Sequence, residues 1–208
     1  MWQNKRKLSE TLKAMLDKII LKGEQVQMTD DEFFSFCQAN AGLNIERNAQ
    51  REIIIMSPTG SLSGNLSSKI NAQLFNWNEQ TGYGLVFDSS TGFTLPDGSV
   101  LSPDASWLSL EKWRALSEDE KKRFAPVCPE FVVELRSDSD RLSDLQQKME
   151  SWLQNGAQLA WLIVPEDEIV FIYQSEKEVQ EHSGFDAALP AGDILPGFAL
   201  QLTKLKIS

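Results

Sequence analysis

Apolar residues recur every three to four positions in the N-terminal part of the chain, as they do along one face of an amphipathic helix. The first such run spans residues 5–22 and predicts a helix that ends near Gly23. Its apolar members are Leu8, Leu12, Met15, Leu16, Ile19 and Ile20. A second helix is predicted in "MTDDEFFSFCQANAG", where Thr29 is a suitable N-cap, acidic residues occupy the first turn and Gly42 follows the end.

Three later segments also predict helices. The stretch "SLSGNLSSKINAQLFNWNEQ" places an apolar residue about once per turn and predicts a long helix with one buried face. Residues 110–123 are rich in charge and predict a surface helix. The stretch "RLSDLQQKMESWLQNG" predicts a helix closed by Asn155 and Gly156.

Short apolar runs bounded by turn residues predict the strands. They are "REIIIMSPTG", two strands in "GLVFDSSTGFTLPDG", "SPDASWLSL", "FVVEL", two strands in "LAWLIVPEDEIVFIYQ" and one in "ILPGFALQLTKL". This order of elements favours an α/β fold with a mixed central sheet flanked by helices. The helix between "FVVEL" and "LAWLIV" resembles a crossover connection, so these two strands should be parallel.

The chain has the size of one domain. Its 208 residues and 41% hydrophobic content allow a single α/β core, and no internal repeat or low-complexity linker divides it. We therefore predict an N-terminal amphipathic helical extension, residues 1–27, followed by one domain, residues 28–208. Because the apolar stripe of the extension needs a partner surface, we expect it to pack across a homodimer.

Charge and cysteine content narrow the class of protein. The net charge of -10 opposes binding of a polyanion unless a local basic surface or a partner compensates. No window approaches the roughly 18 apolar residues of a membrane span, and no apolar signal region follows the first basic residues. Cys37 and Cys128 lack a zinc-binding pattern. We therefore expect reduced thiols in a soluble cytoplasmic protein.

Two carboxylates occupy positions in or beside predicted strands, where an unpartnered charge is costly to bury. Glu134 lies within "FVVEL", and Asp104 precedes the apolar run of "SPDASWLSL". On neighbouring strands they would form an oxygen-ligand site for a hard cation such as Mg²⁺. Asp104 could instead cap a local turn, and Glu134 could form a structural ion pair with Arg136 or with a neighbouring strand.

Two cations should lie close to these carboxylates. Lys148 falls on the flank of the apolar stripe of its helix, from which a long side chain can reach the sheet edge. It could stabilise phosphate charge or orient a water molecule, or serve only as the i, i+4 partner of Asp144. Arg136 shares the strand face of Glu134, and although it cannot act as a general base it could clamp a phosphate.

Other catalytic arrangements find little support. The lone histidine, His182, lies in a polar segment without a second histidine, and no glycine-rich loop of P-loop spacing is present. Five tryptophans mostly fall at apolar-periodic positions and predict core residues rather than a base-stacking platform. They are Trp77, Trp107, Trp113, Trp152 and Trp161.

At the candidate site residues the chain also resembles the Uma-two type restriction endonuclease family of the PD-(D/E)XK nuclease superfamily. The resemblance runs from about Met28 to Leu205. It rests on "EIIIMSPTG", "NAQLFNWN", "GLVFDSSTGFTLPDG", "SPDASWLS", "PEFVVELRSDSDRLSDLQQKMESWLQNGAQLAWLIVP" and "LPGF". It implies a restriction-endonuclease-like fold and metal-dependent cleavage of DNA.

The resemblance also implies roles for individual residues. Pro103 and Asp104 match the "PD" of the superfamily pattern, and Glu134 matches its "(D/E)". The catalytic lysine looks displaced to the helix, at Lys148, because Arg136 occupies the ordinary lysine position two residues after the glutamate.

Two further features come from the same comparison. Asp138 stands where many relatives have proline, and it adds negative charge near the expected phosphate site. The superfamily often carries an acidic residue on its first core helix, for which Glu46 and Glu52 are both candidates. Glu46 is favoured because it precedes the predicted strand.

The sequence thus favours a DNA endonuclease in which Asp104 and Glu134 bind Mg²⁺ or Mn²⁺ and Lys148 stabilises the transition state, with Glu46 as a further catalytic candidate. The main alternative is an inactive interaction or assembly module on the same scaffold, which Arg136, Asp138 and the negative charge favour. A third is a carboxylate-pair hydrolase acting on a neutral substrate such as a glycoside.

Overall fold

The computed structural model describes residues 18–207 of the chain, which form thirteen strands and four α-helices. In chain order these are β1 (Lys18–Leu21), α1 (Asp30–Ala39), β2 (Asn44–Arg47), β3 (Ile53–Met56), α2 (Ser61–Thr81), β4 (Gly84–Asp88), β5 (Phe93–Thr94), β6 (Val100–Leu101), β7 (Ala105–Ser109), α3 (Leu110–Ala115), β8 (Phe131–Leu135), α4 (Leu142–Gln154), β9 (Leu159–Val164), β10 (Ile169–Gln174), β11 (Gln180–Ser183), β12 (Ala188–Pro190) and β13 (Ala199–Gln201).

The main sheet has six strands in the order β11–β10–β9–β8–β7–β4. Strands β8 and β9 pair in parallel through the crossover helix α4, and the other described pairings in this sheet are antiparallel. Both parallel strands are buried over their whole length, which accounts for their continuous apolar runs. The predictions of a mixed central sheet and of this parallel pair are confirmed.

A second sheet has five antiparallel strands in the order β1–β3–β2–β6–β5. Its own small core contains Phe33 of α1 together with Ile45, Ile53 and Val100. Strands β12 and β13 form a separate two-stranded ribbon. Strand β2, which was not predicted, carries Glu46.

The helices α1, α2 and α4 lie where the periodicity predicts them. Thr29 caps α1 in a capping box, in which its hydroxyl accepts from the Glu32 backbone N–H and the Glu32 carboxylate accepts from that of Thr29. Helix α2 is followed by Gly82 at φ 65°, a left-handed conformation that favours glycine. Local capping chemistry therefore sets these boundaries.

The prediction of an N-terminal helix that ends near Gly23 is wrong over the last part of that segment, which is the only part that the structure describes. Residues Lys18–Leu21 form strand β1, which pairs antiparallel with β3 and places Ile19 opposite Ile55. The β-branched Ile19 and Ile20 suit a strand, and pairing with β3 prevails over the helical spacing. Residues 1–17, on which most of the predicted helix and its homodimer contact depend, lie outside the described residues.

The surface helix predicted over residues 110–123 is shorter than expected. Helix α3 ends at Ala115, and a separate 3₁₀ turn follows at Glu120–Lys122. The reason is a local cap, because the Glu120 carboxylate accepts hydrogen bonds from the Ser117 N–H and hydroxyl, both at 2.7 Å.

Two apolar clusters cover the two faces of the main sheet. On one face, α2 packs against Phe131, Val133 and Leu135 of β8. On the other face, α4 packs against Val132 of the same strand. Because strand side chains alternate, Glu134 points to the α4 face. None of the helices within residues 18–207 has the length and apolar character needed to cross a membrane.

Candidate active site

Asp104 and Glu134 come from neighbouring strands of the main sheet. In the antiparallel pairing of β7 with β8, Ala105 lies opposite Val133. Asp104, which precedes Ala105, and Glu134, which follows Val133, therefore belong to the same end of the pair. The Asp104 Oδ2 atom accepts a hydrogen bond of 2.7 Å from the Leu135 backbone N–H. This cross-strand bond holds Asp104 beside Glu134, rather than in the local turn that the sequence also allowed.

Lys148 reaches the two strands from α4. Its Nζ atom lies 2.9 Å from Glu134 Oε1 and 2.9 Å from Glu46 Oε1, and it donates to the Ser102 carbonyl at 3.3 Å. The alternative partner Asp144 is instead paired with Lys18 at 2.7 Å. Lys148 is therefore an ammonium group held between two carboxylates.

Glu46 enters this cluster from the second sheet. It lies on strand β2, not on the helix that the superfamily pattern implied, and is 4% exposed. Its Oε1 atom also accepts from the Ser102 N–H at 2.9 Å. Glu52, the other candidate, binds Lys22 and Asn48 instead. The tertiary contacts therefore distinguish two acids that local sequence did not separate.

Trp152 also contacts this cluster, although its apolar-periodic position predicted only a core residue. Its indole N–H donates to Glu134 Oε1 at 2.9 Å, and its side chain is fully buried. The available signal was its spacing, because Trp152 lies four residues after Lys148 on α4 and shares its face. The hydrogen bond to Glu134 depends on how α4 crosses β8.

Burial controls the electrostatics of the cluster. Desolvation raises the pKa of Glu134 to about 8, although nearby Lys148 opposes the shift. Desolvation also raises the pKa of Asp104, against the effect of the Leu135 hydrogen bond. For Lys148, burial lowers the pKa, but the carboxylates of Glu134 and Glu46 outweigh it and raise the pKa above its ordinary value. Lys148 is therefore charged at neutral pH.

Arg136 lies apart from these contacts. Its guanidinium is 3.8 Å from the Asp167 carboxylate, and its Nε donates to the Asp140 carbonyl at 3.4 Å. The structural ion pair with Glu134 that the sequence allowed is not formed, because Glu134 pairs with Lys148. Asp138 lies near Glu166, where hydrogen bonding between the two carboxyl groups raises the pKa of Glu166. Arg136 is thus a cation in acidic surroundings.

Comparison with known proteins identifies the family. The family model of Uma2, described as "Putative restriction endonuclease", matches residues 30–203. The chain belongs to the Uma2 family. The resemblance noted from the sequence is confirmed, and the family and fold are those of restriction-endonuclease-like nucleases. No curated protein matches the chain.

A solved structure has the same fold as this Uma2 chain. It is a "putative nuclease belonging to DUF820" from Anabaena variabilis, which is 20% identical in sequence. The similarity has a TM-score of 0.67 and covers 86% of this chain and 97% of the Anabaena chain. The predicted restriction-endonuclease-like fold is therefore confirmed.

The donor set at this candidate site fits a hard divalent cation. Within residues 18–207, no three His, Cys, Asp or Glu side chains are grouped to form a complete metal cage. Mg²⁺ does not require one, since it is commonly held by one or two carboxylates together with waters and substrate phosphate. Asp104 and Glu134 supply two carboxylates, whereas the Oε1 atom of Glu46 is engaged by Lys148 and Ser102.

A groove of about 640 Å³ lies between α2 and the end of β4. Asn71 lines the groove and donates to the Asp104 carbonyl at 2.8 Å, and Phe75, one turn further along α2, lines it with 52% of its surface exposed. The other lining residues are Ala72, Asn76, Val86, Phe87, Asp88, Ser90 and Thr91. Since this lining contains no cationic side chain, it suits a flat neutral group better than a phosphate.

Proposed function

We propose that the protein is an endonuclease that hydrolyses phosphodiester bonds of DNA and depends on Mg²⁺ or Mn²⁺. The observation that carries this proposal is the buried contact between Lys148 and Glu134, 2.9 Å apart, beside the Asp104 carboxylate. Two carboxylates and a lysine at one place are suited to phosphoryl chemistry, since they combine cation binding with stabilisation of anionic charge.

Each residue has a separate part in this proposal. Asp104 and Glu134 hold the divalent cation, which when bound acts as a Lewis acid and lowers the pKa of a water molecule. Lys148 stabilises the negative charge that develops on the scissile phosphate. Glu46 positions Lys148 through the 2.9 Å contact between the two side chains, so it acts through the lysine.

The proposed substrate has to approach a protein of net charge -10. Arg136 is a cation close to the strand end that carries Glu134, and it is the proposed phosphate clamp. To bind a phosphate it would exchange its long 3.8 Å contact with Asp167. Both cysteines are free thiols, which supports a cytoplasmic location for the enzyme.

Substitution at the carboxylates tests the proposal. Asp104→Ala is expected to lower the rate of plasmid nicking in Mg²⁺ or Mn²⁺ by about 100-fold or more, because one cation ligand is lost. EDTA should stop the wild-type reaction. The matched control is Glu52→Gln, since Glu52 binds Lys22 and Asn48 outside the cluster. Nicking that persists in a folded Asp104→Ala protein would refute the assignment.

The second candidate is a non-catalytic interaction module, favoured by Arg136 at the ordinary lysine position and by the acidic Asp138. Calorimetric titration with Mn²⁺ distinguishes the endonuclease from the interaction module. Binding by wild type that is lost in Glu134→Gln supports the endonuclease. Absence of binding by wild type supports the module.

A further inference from the structure

Glu134 is held at one of its two carboxylate oxygens. Its Oε1 atom lies 2.9 Å from the Lys148 Nζ and accepts a 2.9 Å hydrogen bond from the Trp152 indole N–H. Among residues 18–207 no side chain or backbone group donates a hydrogen bond to Glu134 Oε2. Two side chains therefore hold Oε1, whereas Oε2 accepts no hydrogen bond from the part of the chain that the structure describes.

The two groups that hold Oε1 differ in rigidity. Trp152 is fully buried in the cluster that contains Val132, Met149, Ala160 and Leu162. A large ring in a close-packed core has little freedom to move. Lys148 carries its charge on a flexible stem and also contacts Glu46 and Ser102. Trp152 is therefore the more rigid of the two supports.

The chemistry of the two groups also differs. An indole N–H only donates hydrogen bonds, so Trp152 neither binds a cation nor serves as a base. If Lys148 turns toward the phosphate during the reaction, its contact with Glu134 weakens, whereas the indole N–H still faces the same oxygen. Trp152 is then the donor that maintains the orientation of Glu134.

We propose that Trp152 is a positioning residue that fixes Glu134 through Oε1 and so presents Oε2 to the divalent cation. This inference rests on the proposed function, because it requires that Glu134 be a cation ligand. Outer groups that hydrogen-bond a metal ligand affect metal affinity strongly, and their loss typically costs about 10- to 100-fold.

The test compares two tryptophan variants in Mn²⁺ titrations by calorimetry. Trp152→Phe is expected to raise the Kd for Mn²⁺ by about 10- to 100-fold. The matched control is Trp107→Phe, since Trp107 is also buried and its indole N–H donates at 2.9 Å, but to Asn78. The control should bind Mn²⁺ like wild type, even if both variants lose thermal stability equally.

The outcomes separate this inference from the proposed function. Equal Mn²⁺ affinity in Trp152→Phe and wild type overturns the role of Trp152 and leaves the endonuclease proposal intact. Absence of Mn²⁺ binding by wild type overturns both. Equal loss of affinity in both tryptophan variants also overturns the positioning role, because it indicates a general effect of core damage.

A second measurement keeps the inference testable if Trp152→Phe does not fold. In wild-type protein with ¹⁵N-labelled tryptophan, the indole resonance of Trp152 should shift on saturation with Mg²⁺, while that of Trp107 should not. An unchanged Trp152 resonance at Mg²⁺ saturation would overturn the inference.

Discussion

Glu134 and Lys148 form an ion pair that is largely closed to water, with side-chain exposures of 5% and 18%. Desolvation is costly for each charge alone, and close contact offsets that cost. Because the contact with Lys148 offsets only part of the desolvation, the pKa of Glu134 is raised to about 8. If Glu134 is a cation ligand, as proposed, a proton and a divalent cation compete for its carboxylate near neutral pH.

This competition predicts a pH dependence for cation binding. The pKa of Glu134 lies near 8, so below that pH a cation has to displace a proton, and above it the carboxylate is already ionised. Mn²⁺ affinity should therefore rise from about pH 6 and level off above about pH 8, with proton release on binding. Calorimetry in buffers of different ionisation enthalpy measures both quantities.

The Glu134→Gln variant provides the control for this pH prediction. Glutamine has no proton to lose in this range, so the variant should show neither the Mn²⁺ binding nor the proton release of wild type. An affinity for wild type that is constant over the same pH range would contradict the prediction.

At the scale of elements, the site depends on the meeting of α4 with strands from both sheets. Helix α4 contributes Lys148 and Trp152 from one face, β8 contributes Glu134 and β2 contributes Glu46. Helix α2 lines a separate groove, where it places Phe75 one turn after Asn71, whose amide donates to the Asp104 carbonyl. Under the proposed function, we expect this groove to hold a base of the bound DNA.

The groove predicts an effect of Phe75 on binding of single-stranded DNA. Stacking of a base on an aromatic ring contributes about 1–3 kcal/mol, so Phe75→Ala should weaken binding of a short oligonucleotide by about fivefold or more. Fluorescence anisotropy with Ca²⁺ in place of Mg²⁺ can measure this change.

Tyr83→Ala is the matched control for Phe75→Ala. Both aromatic side chains are 52% exposed, but Tyr83 lies beyond the end of α2 and does not line the groove. Equal effects of the two substitutions would mean that the groove does not hold a base.

At the scale of the molecule, the negative charge limits how the proposed DNA substrate can bind. With a net charge of -10, long-range attraction cannot supply affinity, and local cations have to do so. Arg136 and Lys148 are the cations that the proposal assigns to the phosphates. The salt dependence of DNA binding should therefore be shallow, since few phosphates are neutralised.

The contribution of Arg136 can be measured from this salt dependence. Arg136→Ala should reduce the magnitude of the slope of log K against log salt concentration by about 1. Arg114→Ala, which removes an exposed cation on α3, is the control and should leave the slope unchanged. An unchanged slope in Arg136→Ala would show that Arg136 does not contact a phosphate.

The sequence by itself determined the elements whose signals are local. Helical periodicity and capping groups are properties of short segments, and they predicted α1, α2 and α4. The same holds for β8 and β9, whose apolar runs predicted buried strands. Glu134 stood out because a carboxylate within such a run requires a partner. Asp104 and Lys148 stood out by their positions, beside a strand and on the flank of the apolar stripe of α4, and the resemblance to the family implied catalytic roles for both.

Only the tertiary structure decided the features that depend on contacts between distant segments. Pairing with β3 made Lys18–Leu21 a strand, and the contact with Lys148 distinguished Glu46 from Glu52. The hydrogen bond from Trp152 to Glu134 likewise depends on how α4 crosses β8. Spacing along a chain predicts which residues share a face of one element. The distance between two elements is set by packing of the whole core, which no short segment specifies.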